Sequence, residues 1–204
     1  MGLMLHVDVA GRSVVVVGGG RAGREKVARL RAAGAEVVVI DPAAAPDGWG
    51  DGVTVVNRAF RADDVVGAAL VVAATDDERV NEAVARAGRE TRAVVVRADR
   101  ADGGGVAFAA VLHEGPVTVG VATTGTSPRL ARWLRDRIAT VVTPAVGEVA
   151  AMVATRPRSE GQRRHRDLHL DEALLLVESG DVEGAREVLG VTAPRRSTGR
   201  QRRP

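Results

Sequence analysis

The chain has no cysteine and no tyrosine, and two tryptophans and two phenylalanines make up its aromatic complement in 204 residues. Without thiols it can form no disulfide, no thiolate metal site and no cysteine nucleophile. Rings this scarce largely exclude binding by stacked aromatic platforms. Lysine is almost missing too: Lys26 stands alone, so arginine carries the positive charge. No apolar run approaches the length that spans a bilayer, and the start MGLMLHVDVAGR lacks a charged segment followed by a long apolar one. A soluble cytoplasmic protein with no membrane partner is the expectation.

Alanine and valine dominate an apolar fraction of 45%, enough for a substantial core in one large domain or a main domain with additions. The net charge is +3 and the isoelectric point about 10.6, with much of the excess in residues 156–166 and in the tail PRRSTGRQRRP. Arginine blocks suit polyanions, but no nucleic-acid motif accompanies these. They read as a solvated helix face and a disordered terminus, and nucleic acid is not the expected partner.

The chain is organised around Val14 to Gly23, VVVVGGGRAG. Four valines in a row predict a strand buried on both faces, and Gly18, Gly20 and Gly23 follow it on GxGxxG spacing. Gly23, Val27 and Leu30 then recur at helical spacing, with Gly34 as the stop. In such a strand, turn and helix, the first glycine makes the tight turn and the second lets the backbone approach a pyrophosphate. The third lets helix and strand pack closely. A second strand, EVVVI, ends at Asp41, 21 residues beyond Gly20. A carboxylate there binds ribose hydroxyls and repels a 2′-phosphate, so the expected cofactor is NAD. Asp41 followed by Pro42 is also ordinary turn chemistry.

Further strands are predicted at 53–56, 69–74, 93–97, 106–112 and 117–122, with a short helix at 61–68 and a longer one after Asp77. Leu5, Val7 and Val9 alternate in a lead-in over residues 1–12. Strand and helix alternation means an α/β fold with a Rossmann-like, doubly wound parallel sheet. Ligands bind beyond the carboxyl ends of such strands, which puts Ala74 and Thr75 beside the nucleotide and Asp99 at the same edge. Asp76 or Asp77 can cap the next helix, and Asp99 alone also reads as a turn residue. The cofactor assignments are Gly18, Gly19, Gly20, Arg21, Ala22, Asp41, Pro42, Ala74 and Thr75. In TTGTSPRLARWLRDRI, Ser127 can cap a helix whose first turn holds Pro128, and free amides over residues 124–127 with nearby arginines suit an anion. Thr123, Thr124, Gly125, Thr126, Ser127 and Arg129 are the substrate-binding candidates. Later segments are helical, and His165 and His169 lie four apart without the other elements of a metal motif, so no metal site is assigned.

Four ordered motifs, VVVVGGGRAGREKVARLRAAGAEVVVI, AATDDERVN, RAD at Arg97 to Asp99 and TTGTSPRLARWLRDRI, resemble the precorrin-2 dehydrogenase family, which includes the dehydrogenase/chelatase part of siroheme synthases. The match covers roughly residues 4–150. The resemblance implies NAD-dependent oxidation of precorrin-2 to sirohydrochlorin, for siroheme or cobalamin. Asp99 is then the general base, and insertion of Fe2+ as substrate is an additional activity of bifunctional members. It also implies a homodimer with a nucleotide domain at 1–112, a small α+β dimerisation region at 113–147, a helical C-terminal region at 148–193 and a basic tail at 194–204. Precorrin-2 is rich in carboxylates, which gives physical sense to the amides near Ser127 and to the arginines. Val106 and Ala109 stand where many relatives have phenylalanine and proline, a change that bears on pocket shape. Alternative readings are an NAD-binding sensor without catalysis, an NAD-dependent dehydrogenase of another anionic small molecule, and an arginine-rich nucleic-acid binder.

Overall fold

The computed structural model describes residues 3–99, 106–123, 125–155 and 169–191. Two compact units are present, one of residues 1–109 with 122–128 and the other of residues 110–121 with 129–204.

In the first unit, β1 (Ser13–Val17), β2 (Glu36–Ile40), β3 (Val53–Val56), β4 (Leu70–Ala73) and β5 (Val94–Arg97) form one parallel sheet in the order β3-β2-β1-β4-β5. The unbroken valine runs follow from the layering, because Val14 to Val17 and Leu70 to Ala73 are buried on both faces of the central strands. Alternate side chains serve opposite layers. Val14, Val16, Val37, Val39 and Val72 pack with Val27 and Leu30 of α1 (Arg21–Ala32). Val15, Val17, Val71 and Ala73 pack with Val84 and Ala87 of α2 (Glu78–Glu90). Each fully buried valine or leucine contributes about 1.5–3 kcal/mol, so one helix on each face suffices to hold the sheet. Asp77 caps α2 by accepting from the Arg79 and Val80 amides.

Two local expectations change. The helix expected at 61–68 is one 3-10 turn, Ala62–Val65, whose start is tied by the Arg61 amide to the Asp64 carboxylate at 2.7 Å and which ends before Gly67 at φ +80°. The strand expected at 106–112 begins only at Ala110. Before it, Phe108 packs on the α1 side of the core under Lys26, and Ala109 accepts from the Arg29 guanidinium, so side-chain anchors replace strand pairing there.

In the second unit, β6 (Ala110–Glu114) and β7 (Val117–Val121) form an antiparallel hairpin. The helices are α3 (Pro128–Ile138), α4 (Pro144–Ala154), α5 (Leu170–Glu178) and α6 (Val182–Val188). Val149 and Met152 of α4, Ala173 of α5 and Ala185 of α6 share a small core with Leu189 and Val191. Bare backbone at Gly147 lets α4 lie against the turn of the hairpin, where a Cβ would come 3.0 Å from the Glu114 carbonyl. The two units meet in sequence at 109/110, where Ala110 opens β6, and residues 122–128 return to the first unit. The tail at 194–204 lies outside the described residues.

Candidate functional site

Register builds the site. Val17 lies opposite Ile40 and Ala73, and Ala73 lies opposite Arg97, so four strands end level with one another. The residues just past that edge are Gly18 to Gly20, Asp41, Ala74 with Thr75, and Asp99.

Gly18 turns the chain with φ +104°, and a Cβ there would lie 2.5 Å from the Ala74 carbonyl oxygen. A Cβ at Gly23 would run into the Gly18 carbonyl, which is why α1 can start directly over the turn. Gly20 behaves differently: it opens α1 at φ −67° with no side-chain cap, and a Cβ there would meet nothing within 4 Å. The amides of Arg21, Ala22 and Gly23 are left without intrahelical partners, and no acidic residue occupies the first turn. A bare helix N-terminus beside open space fits a dinucleotide pyrophosphate.

Asp41 is held by this loop. Its Oδ2 accepts from the Gly19 amide at 2.5 Å and its Oδ1 from Ala43 at 2.7 Å, so the carboxylate is pinned to the glycine turn. Pro42 is exposed beside it. Trp49, 6% exposed, packs where a Gly19 Cβ would point; its indole donates to the Ala45 carbonyl at 2.7 Å, and the Arg24 guanidinium lies 4.0 Å above its ring. One of the scarce aromatics thus closes the floor of the site from the protein side.

At the other side of β1, Thr75 is locked to Asn81. The Thr75 amide and hydroxyl both donate to Asn81 Oδ1, at 3.1 and 2.8 Å, and the Asn81 amide donates back to the Thr75 carbonyl at 2.9 Å. Asp99 is gripped by Arg97 through Nε to Oδ1 at 3.0 Å and Nη2 to Oδ2 at 2.6 Å, and the remaining Nη1 of Arg97 donates to Glu82 at 2.6 Å. The guanidinium bond holds the Asp99 carboxyl below the usual carboxylate range, against the opposing effect of burial and with help from Asn81. The Asp99 side chain keeps 27% of its surface exposed, so an ionised carboxylate faces out from the sheet edge. Sequence reasoning singled out neither Asn81 nor Arg97 for a role, although both stand in the quoted motifs; their near-complete burial marks them as the polar residues among the described core.

The segment 123–127 differs from expectation. The Thr126 amide donates to the Thr123 carbonyl at 2.9 Å, the Ser127 amide to the Thr123 hydroxyl at 3.2 Å, and that hydroxyl to the Ser127 carbonyl at 3.0 Å. The amides of Thr126 and Ser127 are therefore engaged within the turn rather than free for an anion. Gly125 and Arg129 are exposed, and Thr124 lies outside the described residues, as does His165. His169 stands 3.7 Å from Glu172, and no group of three metal-ligating side chains occurs among the described residues. Among them, too, no helix is long and apolar enough to cross a membrane.

Comparison with known proteins agrees with this geometry. Residues 5–110 match the family described as Putative NAD(P)-binding, and residues 114–140 match the one described as Sirohaem biosynthesis protein central. The chain is 36% identical to a siroheme synthase of Thioalkalivibrio sulfidiphilus over 87% of its own length and 39% of that protein's. It is 35% identical to a siroheme synthase of Methylococcus capsulatus over 93% of its own length and 42% of that protein's, so it spans about two fifths of these relatives. A solved structure titled SirC, precorrin-2 dehydrogenase, matches with a TM-score of 0.68 at 20% identity, covering 92% of this chain and 97% of that one.

Proposed function

The chain belongs to the family of NAD(P)-binding sirohaem biosynthesis proteins that takes in siroheme synthases, and from that premise we propose that it oxidises precorrin-2 to sirohydrochlorin with NAD as hydride acceptor. The observation that carries this reading is the juxtaposition at one sheet edge of an uncapped glycine turn and a carboxylate held ionised by Arg97. Gly20 and the first amides of α1 hold the pyrophosphate, and Asp41 accepts from the ribose hydroxyls and disfavours a 2′-phosphate, which selects NAD over NADP. NAD held there would supply the acceptor for a hydride from a substrate carbon.

Asp99 takes the proton that leaves with it, so precorrin-2 and NAD+ become sirohydrochlorin, NADH and a proton. A substrate that has lost hydride is cationic and hence acidic, so a carboxylate of low basicity is sufficient. The fixed negative charge of Asp99 also stabilises that cation before the proton departs. Arg129 and the Gly125 amide meet substrate carboxylates, while Thr123, Thr126 and Ser127 shape the turn that presents them. The same carboxylate accepts pyrrole protons when Fe2+ enters sirohydrochlorin as a substrate, the second activity we propose.

We further propose that the protein works as a homodimer in the cytoplasm. A two-stranded sheet is marginal by itself, and the β6–β7 hairpin has only half-buried Val111, Leu112, Val117, Val119 and Val121. Trp133 on α3 and Val141 are exposed in the same unit. Pairing with a second copy would cover such surface. Residues 113–147 hold the dimerisation surface, and α5 and α6 belong to the C-terminal region that follows it.

The test is anaerobic turnover of freshly made precorrin-2 with NAD or NADP, followed by sirohydrochlorin absorbance and repeated with Asp99→Ala. NAD-dependent product that disappears in the variant supports the reading. Confirmed NAD binding without product from either cofactor would overturn it and favour a sensor.

A further inference from the structure

The part of the site that sequence reasoning left without a role is the buried guanidinium of Arg97. Its side chain is 1% exposed, yet all three nitrogens are used, two on Asp99 and one on Glu82. An arginine this buried ordinarily serves packing or a fold-stabilising ion pair. Two features point elsewhere. The fork is bidentate on a carboxylate that still faces solvent, and the third nitrogen is held by a Glu82 side chain that is 57% exposed on α2, so the arginine is buried but its partners are not. In addition, Asn81, 1% exposed, spends its side-chain oxygen and amide on Thr75 at the β4 exit assigned to the cofactor, and it also favours the charged form of Asp99.

We propose that Arg97 is a positioning residue that clamps both oxygens of Asp99 in one orientation at the sheet edge that carries the glycine turn, while Glu82 shares the guanidinium through its remaining nitrogen. This rests on the reading of Asp99 as the reacting carboxylate. The fork occupies one lone pair on each oxygen, which fixes the plane of the carboxylate and leaves one outer lone pair on each oxygen to accept a proton. Arg97 also sets the charge state. Among the described residues, the charged groups acting on Asp99 are Arg97 from the end of β5 and, through Arg97, Glu82 on α2, which itself bonds Arg89; Asn81 is a neutral neighbour. Without the guanidinium, the Glu82 and Asp99 carboxylates would stand beside an empty slot and repel.

The experiment uses the full chain with Arg97→Met, Arg97→Lys and Glu82→Gln, and it reads the Asp99 carboxyl directly by carbon-13 NMR titration, assigned with Asp99→Asn. Folding is checked by retained NAD binding. In Arg97→Met the Asp99 titration moves up by about one pH unit or more, since a paired cation at contact distance is lost. Arg97→Lys keeps the charge without the fork, so it restores most of the titration shift. If that lysine variant turns over precorrin-2 about a hundredfold more slowly with an unchanged Michaelis constant for NAD, orientation is what was lost. Glu82→Gln leaves Arg97 wholly to Asp99 and moves the titration down or not at all. This variant keeps the clamp testable if Arg97→Met does not fold. An Asp99 titration that stays in place in folded Arg97→Met, or that rises in Glu82→Gln, overturns the proposal. A wild-type chain that shows the expected titrations but makes no sirohydrochlorin leaves the clamp standing and removes the proposed reaction instead.

Discussion

Two glycines of the same turn should fail in opposite ways when each is given a methyl group. Alanine at Gly18 must adopt φ +104°, a conformation costing an L-residue about 1–2 kcal/mol, and its Cβ would sit 2.5 Å from the Ala74 carbonyl oxygen and 2.8 Å from the Thr75 amide. Those neighbours are backbone at the exit of β4 and cannot turn aside as a side chain would, which adds about 1–3 kcal/mol of overpacking. The sum, about 2–5 kcal/mol, is a large share of the roughly 5–15 kcal/mol that holds a typical domain, and corresponds to a melting temperature lower by roughly 10 °C. Gly20→Ala meets no atom within 4 Å and needs no unusual φ. Its small loss as a helix cap and its small gain from a stiffer unfolded chain, each about 0.5 kcal/mol, nearly cancel. The new methyl group stands where a pyrophosphate must approach. Differential scanning calorimetry with and without NAD separates the two effects. Wild type should gain about 2.7 kcal/mol from NAD at a hundred times its dissociation constant. Gly20→Ala should melt like wild type without NAD and gain nothing with it, whereas Gly18→Ala should melt early in both conditions. If Gly20→Ala keeps the full NAD shift, or melts as early as Gly18→Ala, the division of labour between the two glycines is wrong.

Other perturbations test neighbouring parts of the structure. Asp41→Ala removes the carboxylate from the Gly19 amide and should weaken NAD while leaving NADP little affected, so calorimetric titrations of the two nucleotides should converge. Trp49→Ala empties a nearly buried site under Arg24 and should cost about 3–5 kcal/mol in urea unfolding; a loss under 1 kcal/mol would mean that the 42–50 loop is not packed as described. Asp64 is held below the usual carboxylate range chiefly by its bond to Arg58, so its contribution is complete above the unfolded-state value and is lost as pH falls through the folded one. Urea midpoints should therefore drop less steeply below about pH 4 in Asp64→Asn than in wild type, and parallel curves would refute this.

The sheet could be read from the chain because its evidence is local. Four valines in a row, a glycine at each sharp turn and apolar residues at helical spacing each report their own surroundings. The same locality made Asp77 legible as a cap, since its partners are two and three residues away. Residues 61–68 and 106–109 were harder, because their conformation depends on anchors elsewhere: Arg58 on Asp64, and Lys26 and Arg29 on the Phe108 and Ala109 segment. Residues 124–127 looked free because a sequence does not show that the Thr123 hydroxyl folds back to accept from Ser127 and donate to it. Asn81 sits one position from Val80 on a helix with an evident apolar face, and nothing in that spacing says it is buried against Thr75. The Arg97 and Glu82 pair is 15 residues apart, and only the packing of α2 on β4 and β5 brings it together.

The return of residues 122–128 to the first unit bears on the order in which the molecule can be made. On a ribosome the nucleotide sheet has all five strands once Arg97 has emerged, but the unit is not closed until residue 128 follows. By then the β6–β7 hairpin is already outside, while α4, which packs on it through Gly147, has still to emerge. At about 5–20 residues per second, the hairpin waits a second or more with its strand edges open. During that interval each nascent chain carries an unpaired sheet edge, so neighbouring chains on one messenger could meet through it before either is finished.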